Sequence, residues 1–283
     1  MNKIMEQKYC VFIDVLGTKN IIQQNKYFQD TKISILNSIF SDLASSVATA
    51  IEDTNQLFTK KIFIRSFSDS IYLHCDELEP LIYATDKIFN AAFNMYSNFT
   101  QKEEYTPFIR AGIAKGWVVD FKDIGGIINK TGEVNPVGLG VVNAYETSEK
   151  SNLSGMRIIL SMEVFNDLQA NPIDTSNIHY KKEIDIFHSN VPTPYYLKQI
   201  SEDRCGNPTH LYELIWSYQG MNTCTYDYVD KIKGIAPSIP DAAKKHLKAT
   251  AQVLLDGLLL TDCNSQAGNK FSHARNQLEQ LIK

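Results

Sequence analysis

Apolar runs of two different periods alternate along the first part of the chain, and their order restricts the fold more than any other feature. Tyr9 to Val15 is a continuous apolar run closed by Leu16-Gly17-Thr18, which predicts a buried strand and a turn. From Lys32 to Ile51, the residues Leu36, Ile39, Phe40, Leu43, Val47 and Ile51 recur at helical spacing. Lys61 to Arg65 and Ser70 to Cys75 predict two strands joined tightly through Phe67-Ser68-Asp69. Leu81, Thr85, Ile88, Phe89, Ala92 and Tyr96 mark a second helix. Phe108 to Ile113 and Trp117 to Phe121 predict two strands around Lys115-Gly116. The order β-α-β-β-α-β, with a hairpin between the helices, predicts an α+β fold. Its sheet is mainly antiparallel and ferredoxin-like, with flanking helices, rather than doubly wound and parallel.

Further along, glycines at 125, 126, 132, 138 and 140 predict a loop, with a helix starting near Val141. Arg157 to Leu160 reads as a strand and Met162 to Leu168 as a short helix. Tyr195 to Ile200 and His210 to Trp216 read as closing strands. After Trp216 the character changes. A polar, Tyr-rich stretch from Met221 to Lys233 and prolines at 237 and 240 precede two helices, about Asp241 to Leu260 and Lys270 to Ile282. This predicts a main domain over residues 8–216 and a C-terminal helical extension over 217–283.

Composition narrows the function classes. The net charge is −4 and no basic run exceeds Lys60-Lys61 or Lys181-Lys182, which argues against nucleic-acid binding by charge. Five cysteines without a C-x-x-C predict neither a disulfide framework nor a cysteine metal site, and fit a reducing compartment. Met1 to Lys8 is polar, so no signal peptide is expected. The longest apolar stretch, Val253 to Leu260, is broken by Asp256 and Gly257 and is too short to span a bilayer. A cytoplasmic protein without membrane contact is the expectation.

Two acids stand out against this background. Asp14 lies in Phe12-Ile13-Asp14-Val15-Leu16-Gly17, and Asp69 in Ile64-Arg65-Ser66-Phe67-Ser68-Asp69-Ser70-Ile71. A carboxylate within an apolar run is costly unless it is paired or holds a metal. Two of them on neighbouring strands suit a pair of divalent cations. Other strand-Asp motifs fail. A dehalogenase-type phosphatase needs a second acid where Leu16 stands, and D-x-G-x-T phosphate loops need the glycine one place before Gly17. Neither G-x-x-x-x-G-K-[ST] nor a G-x-G-x-x-G turn after the first strand is present. A Gly turn whose N–H groups can face a phosphate remains.

F-x-D-x-x-G on the first strand, a second Asp on the hairpin and Arg110-Ala111-Gly112-Ile113-Ala114-Lys115-Gly116 together resemble a class III nucleotide cyclase domain. Gly138-x5-Ala144 and Ile158-Ile159-Leu160-Ser161 extend the resemblance over roughly residues 8 to 216. The F-I-D-V-L-G start, the F-S-D-S hairpin and Ala144-Tyr145-Glu146 are most similar to the bacterial pyrimidine cyclases of Pycsar anti-phage systems. The resemblance implies conversion of UTP or CTP to its 3′,5′-cyclic monophosphate and pyrophosphate. It further implies a homodimer with a shared active site, and a product sensed by a separate effector protein. Asp14, Asp69 and the Val15 carbonyl would hold two Mn²⁺ or Mg²⁺ ions. Phe12, Gly17 and Thr18 would line the nucleotide, with Arg65 and Asn135 as base readers.

The departures from the family pattern are specific. Arg65 replaces a base-reading lysine, Asn135 an aspartate and Ser68 a turn glycine. An ungapped alignment puts Val142 and Glu146 at the transition-state Asn and Arg positions. A one-residue shift puts Asn143 and Thr147 there, so the arginine is absent either way. Lys19, Lys115, Lys150 and Arg157 are the candidate stand-ins. Two rival readings are a purine (adenylate or guanylate) cyclase and a silent nucleotide-binding module. His74 and Cys75, adjacent on a strand, point to opposite faces and cannot share an ion. Tyr226-Asp227-Tyr228 is a partner surface or packing, and Trp117 and Trp216 are core candidates.

Overall fold

The computed structural model describes residues 6–16, 30–67, 69–99, 108–120, 136–150, 153–170, 181–185, 194–203, 205–239, 241–262 and 269–283. Strand β1 (Glu6–Leu16) leads to helix α1 (Asp30–Leu57), the hairpin β2 (Phe63–Phe67) and β3 (Ser70–Cys75), helix α2 (Leu78–Phe99) and strand β4 (Phe108–Asp120). After β5 (Pro136–Val137) come α3 (Leu139–Lys150), β6 (Ile158–Leu160), α4 (Met162–Ala170), β7 (Lys181–Asp185), β8 (Pro194–Glu202) and β9 (Pro208–Leu214). Three helices end the chain: α5 (Ser217–Ile235), α6 (Lys244–Asp262) and α7 (Asn269–Ile282).

One sheet carries all the described strands, in the order β2-β3-β1-β4-β6-β9-β8-β7, with β5 paired to β4. The β2-β3-β1-β4 part is antiparallel throughout, as a ferredoxin-like β-α-β-β-α-β unit requires. Beyond it β4 and β6 run parallel, and the rest is antiparallel again. The fold is therefore α+β, with a mixed sheet and flanking helices.

Strand alternation sorts the side chains onto two faces. Val11, Ile13 and Val15 enter the large core with Leu43 and Val47 of α1, Ile88, Phe89 and Phe93 of α2, and residues of α4 to α7. Each large side chain buried there contributes about 1.5–3 kcal/mol. Cys10, Phe12, Tyr72, Ala114 and Val118 point the other way, into a smaller cluster closed by Ala144 and Val141 of α3. His74 and Cys75 separate as expected. His74 stacks on Phe63 with ring centroids 4.9 Å apart, and Cys75 joins the large core.

Helix α3 lies very close to β4, which explains the motif glycines. A Cβ at Gly112 would stand 2.3 Å from the Ala144 carbonyl oxygen and 2.4 Å from the Ser148 nitrogen. One at Gly116 would stand 2.4 Å from the Gly140 nitrogen. Gly116 therefore does not end a strand. The two strands expected around Lys115-Gly116 are one continuous strand, because this glycine admits a helix rather than turning the chain.

Two elements differ further from expectation. The polar stretch after Trp216 is helix α5, held by Tyr228, Val229, Ile232 and Ile235 in the large core. Tyr228 packs on Phe93 at 5.0 Å and donates to Asn90 Oδ1 at 2.5 Å, so its role is packing. Strand β7 has no counterpart among the strands expected from the sequence. Trp216 is fully buried, whereas Trp117 is half-buried.

Asp86 of α2 has no role in the site described below, yet it is buried, and its Oδ1 has no hydrogen-bond partner among the described residues. Burial raises its carboxyl well above the ordinary value, and Lys87 and Asn90 offset only part of this. With the folded pKa above the unfolded one, the folded state binds the proton more tightly. Stability is then greatest below the unfolded pKa and is lost as pH rises through the folded pKa. Asp86→Asn is expected to stabilise the protein at pH 8 by about 1–3 kcal/mol, and to have little effect near pH 4. Thermal unfolding of both proteins at the two pH values checks this.

Candidate active site

The register of the antiparallel unit places the candidate residues. On the face carrying α3, one cross-strand row runs Arg65, Tyr72, Phe12, Gly112, and the next runs Phe67, Ser70, Asp14, Arg110. Phe12, Asp14 and Arg65 therefore share one side of the sheet. Helix α3 packs over the β4 and β1 part of that side. Its Tyr145 meets Phe12 edge-on at 5.2 Å.

Asp69 sits in the turn of the β2–β3 hairpin, and its carbonyl accepts the Val15 N–H at 3.3 Å. This ties the hairpin tip to the end of β1. Asp14 accepts from the Ser70 hydroxyl at 3.4 Å, and its Oδ2 lies 3.8 Å from Arg110 Nη2. Arg110 is itself buried. One of its nitrogens donates to the Leu153 carbonyl at 3.2 Å, and another binds the Glu149 carboxylate of α3. Burial chiefly, then the charges of Glu149 and Asp69, push the Asp14 carboxyl up to about 6; Arg110 and Ser70 act in the opposite sense.

These residues fit a divalent cation by their charge. Asp14, Asp69 and Glu149 against Arg110 leave two uncompensated negative charges, and Asp14 is half-buried with only long contacts. Among the described residues no group of three or more His, Cys, Asp or Glu could hold an ion. Asp14 and Asp69 would supply two carboxylates to such an ion, and Mg²⁺ commonly takes its further positions from water and substrate oxygens.

Several sequence candidates fall elsewhere. Lys115 is opposite Tyr9 on the other face, bound to Asp167 at 2.7 Å. Arg157 is held by the buried Glu213 and by the Ser154 carbonyl. Neither is the cation beside Asp14; Arg110 is. The clue to Arg110 lies in its opening the R-x-G-I-x-x-G motif, since an antiparallel partner strand brings that first residue level with the strand-end Asp. Nothing in the sequence marks Glu149. Asn143 donates to the Lys115 carbonyl at 3.0 Å and Thr147 is buried, whereas Val142 and Glu146 lie on the more open side of α3. Gly17, Thr18, Lys19, Ser68 and Asn135, and the Lys150 side chain, lie outside the described residues.

No protein-family model matches the chain, and no curated protein matches it. Among solved structures it is similar to the guanylyl cyclase Cya2, with 15% identity, a TM-score of 0.46, and coverage of 74% of this chain and 92% of that one. It is also similar to an adenylate/guanylate cyclase/hydrolase from Silicibacter pomeroyi, at 15% identity and a TM-score of 0.40 over 74% and 95% of the two chains. An adenylate cyclase structure from Trypanosoma brucei shows 11% identity and a TM-score of 0.41 over 74% and 88%.

Proposed function

We propose that the protein is a nucleotide cyclase that converts a pyrimidine nucleoside triphosphate, UTP or CTP, to its 3′,5′-cyclic monophosphate and pyrophosphate. The observation that carries this reading is the junction of β1 with the hairpin. There Asp14 and Asp69 meet beside a sheet face that also bears Phe12 and Arg65. In the reaction the ribose 3′-hydroxyl gives up its proton to solvent, its oxygen bonds to the α-phosphorus, the bond from that phosphorus to the bridging oxygen breaks, and pyrophosphate leaves. Two Mn²⁺ or Mg²⁺ ions at such a site would lower the pKa of the 3′-hydroxyl and carry the charge of the triphosphate.

The chain's own contribution is positional. Asp14 and Asp69 would hold the cations, with the Val15 carbonyl as a further ligand, and the hairpin bond to β1 ties the backbone of Asp69 to the residue after Asp14. Phe12 with the Gly17-Thr18 turn lines the nucleotide. Arg65, a planar multi-donor group, reads acceptor edges of the base together with Asn135. Replacing a Lys/Asp reader by this pair changes the donor and acceptor edges that are read, and the likeness of the F-I-D-V-L-G start and F-S-D-S hairpin to pyrimidine cyclases motivates the choice of UTP or CTP.

The active site in this reading is shared by two copies of the chain. Leu139, Val142 and Tyr145 are each about half exposed along one side of α3, and Phe63 is 54% exposed on the neighbouring sheet face. An apolar strip of this kind suits a partner surface. Residues 8–216 would form the cyclase domain and 217–283 a helical extension. The cyclic product would act in the cytoplasm as a second messenger of anti-phage defence, sensed by a separate effector. No described helix is long and apolar enough to cross a membrane.

Incubation with ATP, GTP, CTP and UTP plus Mn²⁺, followed by chromatographic identification of products, tests the proposal. Cyclic UMP or cyclic CMP is the expected product. Cyclic AMP or GMP alone would remove the pyrimidine assignment, and no cyclic product from any triphosphate would remove the enzyme reading.

A further inference from the structure

Arg110 is placed where it can cancel the site it borders. Its guanidinium is buried, is level with Asp14 across the β1–β4 pairing, and has a nitrogen 3.8 Å from Asp14 Oδ2. A guanidinium that near a carboxylate ordinarily closes to a direct, often bidentate, pair. Here it does not, because the same nitrogen is bound by Glu149, and another is anchored on the Leu153 carbonyl. Glu149 projects from α3, whose close seat on β4 depends on Gly112. The side chains are graded in exposure, from 8% for Arg110 through 21% for Asp14 to 38% for Glu149. Glu149 thus reaches the buried guanidinium from the more open side of α3, and Asp14 is left with the Ser70 hydroxyl and the 3.8 Å approach of Arg110.

We propose that Glu149 is a positioning residue that draws Arg110 away from Asp14 and so leaves Asp14 free for a divalent cation. The inference rests on the reading that Asp14 and Asp69 hold metal. With Glu149 present, two acids face the site and a third offsets the arginine. Without it, Arg110 swings onto Asp14, the site loses a net negative charge, and an arriving cation must displace a guanidinium. Glu149 thus acts through Arg110 and touches neither metal nor substrate.

The test is Mn²⁺ binding to the full chain without nucleotide, followed by the electron-spin resonance of free Mn²⁺. Glu149→Gln is expected to weaken binding about tenfold, in the range lost with outer-shell partners. The fall in turnover is expected mainly in the KM for Mn²⁺, with the melting temperature in EDTA kept. Glu149→Asp should recover part of the affinity. Arg110→Met placed in the Glu149→Gln background should restore Mn²⁺ affinity, since it removes the competitor; a merely structural role for Glu149 predicts no such recovery.

Equal Mn²⁺ affinity in wild type and Glu149→Gln would overturn the proposal, as would failure of the double variant to bind more tightly than Glu149→Gln. A wild-type chain that binds no Mn²⁺ would overturn it together with the metal role of the aspartates. If Mn²⁺ binds and no triphosphate is cyclised, the cyclase reading fails, while these titrations still decide what Glu149 does.

Discussion

Asp69→Ala is expected to leave a folded protein whose cyclic-nucleotide production falls by well over about a hundredfold. Outer-shell partners of a metal already cost about 10–100-fold when removed, and Asp69 is assigned to the metal itself. The fold should tolerate the change. Asp69 is only partly buried in a hairpin turn, and the bond it makes to Val15 uses its backbone carbonyl, which alanine retains. Asp14→Asn is expected to match it in activity loss. Asn keeps the shape beside Ser70 and Arg110 but lacks the charge. The checks are initial rates with Mn²⁺ and a melting temperature for each variant. Activity above a tenth of wild type in either, with the fold intact, would remove that residue from the site.

Gly112→Val is expected to have the largest effect on stability. Its Cβ would fall 2.3 Å from the Ala144 carbonyl oxygen and 2.4 Å from the Ser148 nitrogen, both backbone atoms of α3 with no rotamer to escape into. Helix α3 must then lift from β4. This opens the cluster of Cys10, Tyr72, Ala114, Val118 and Ala144, and carries Glu149 away from Arg110. Overpacking of this kind costs about 3 kcal/mol or more, or roughly 10 °C in melting temperature for a domain of this size. Thermal unfolding followed by circular dichroism measures it. An unchanged melting temperature would mean that α3 does not sit against β4 as described.

Both variants touch features that differ in how plainly the amino-acid pattern announces them. Strand β1 and the β2–β3 hairpin are legible because apolar runs bounded by turn residues have few alternatives. Helices α1 and α2 are legible because Leu43 and Val47, and Ile88, Phe89 and Ala92, repeat at helical spacing. The same rules misread Gly116, where the glycine is demanded by a helix lying overhead and not by a turn. They pass over α5, whose Tyr-rich sequence has weak helical periodicity and is held by Phe93 of α2 and by Trp216 at its own start. They also pass over β7, whose Lys-Lys-Glu-Ile-Asp composition suits the end of a sheet and reads as loop.

At the site, Asp14 and Asp69 can be picked out because a charge inside an apolar run needs a reason. Arg110 is visible only as part of a motif, and its proximity to Asp14 needs the β1–β4 register. Glu149 cannot be singled out from pattern at all, since a glutamate near the end of a helix has an ordinary solvated explanation until α3 is placed on the sheet. The long-range pairings that build the site are absent from local sequence pattern.

In the proposed reaction Asp14 and Asp69 serve an intramolecular phosphoryl transfer. Phosphorus-31 resonance of the protein with Mg²⁺ and UTP or CTP, run beside the 3′-deoxy triphosphate, tests it most directly. Cyclic monophosphate and pyrophosphate are expected in equal amounts, with no reaction of the 3′-deoxy analogue. Release of orthophosphate, or equal consumption of the 3′-deoxy analogue, would contradict it.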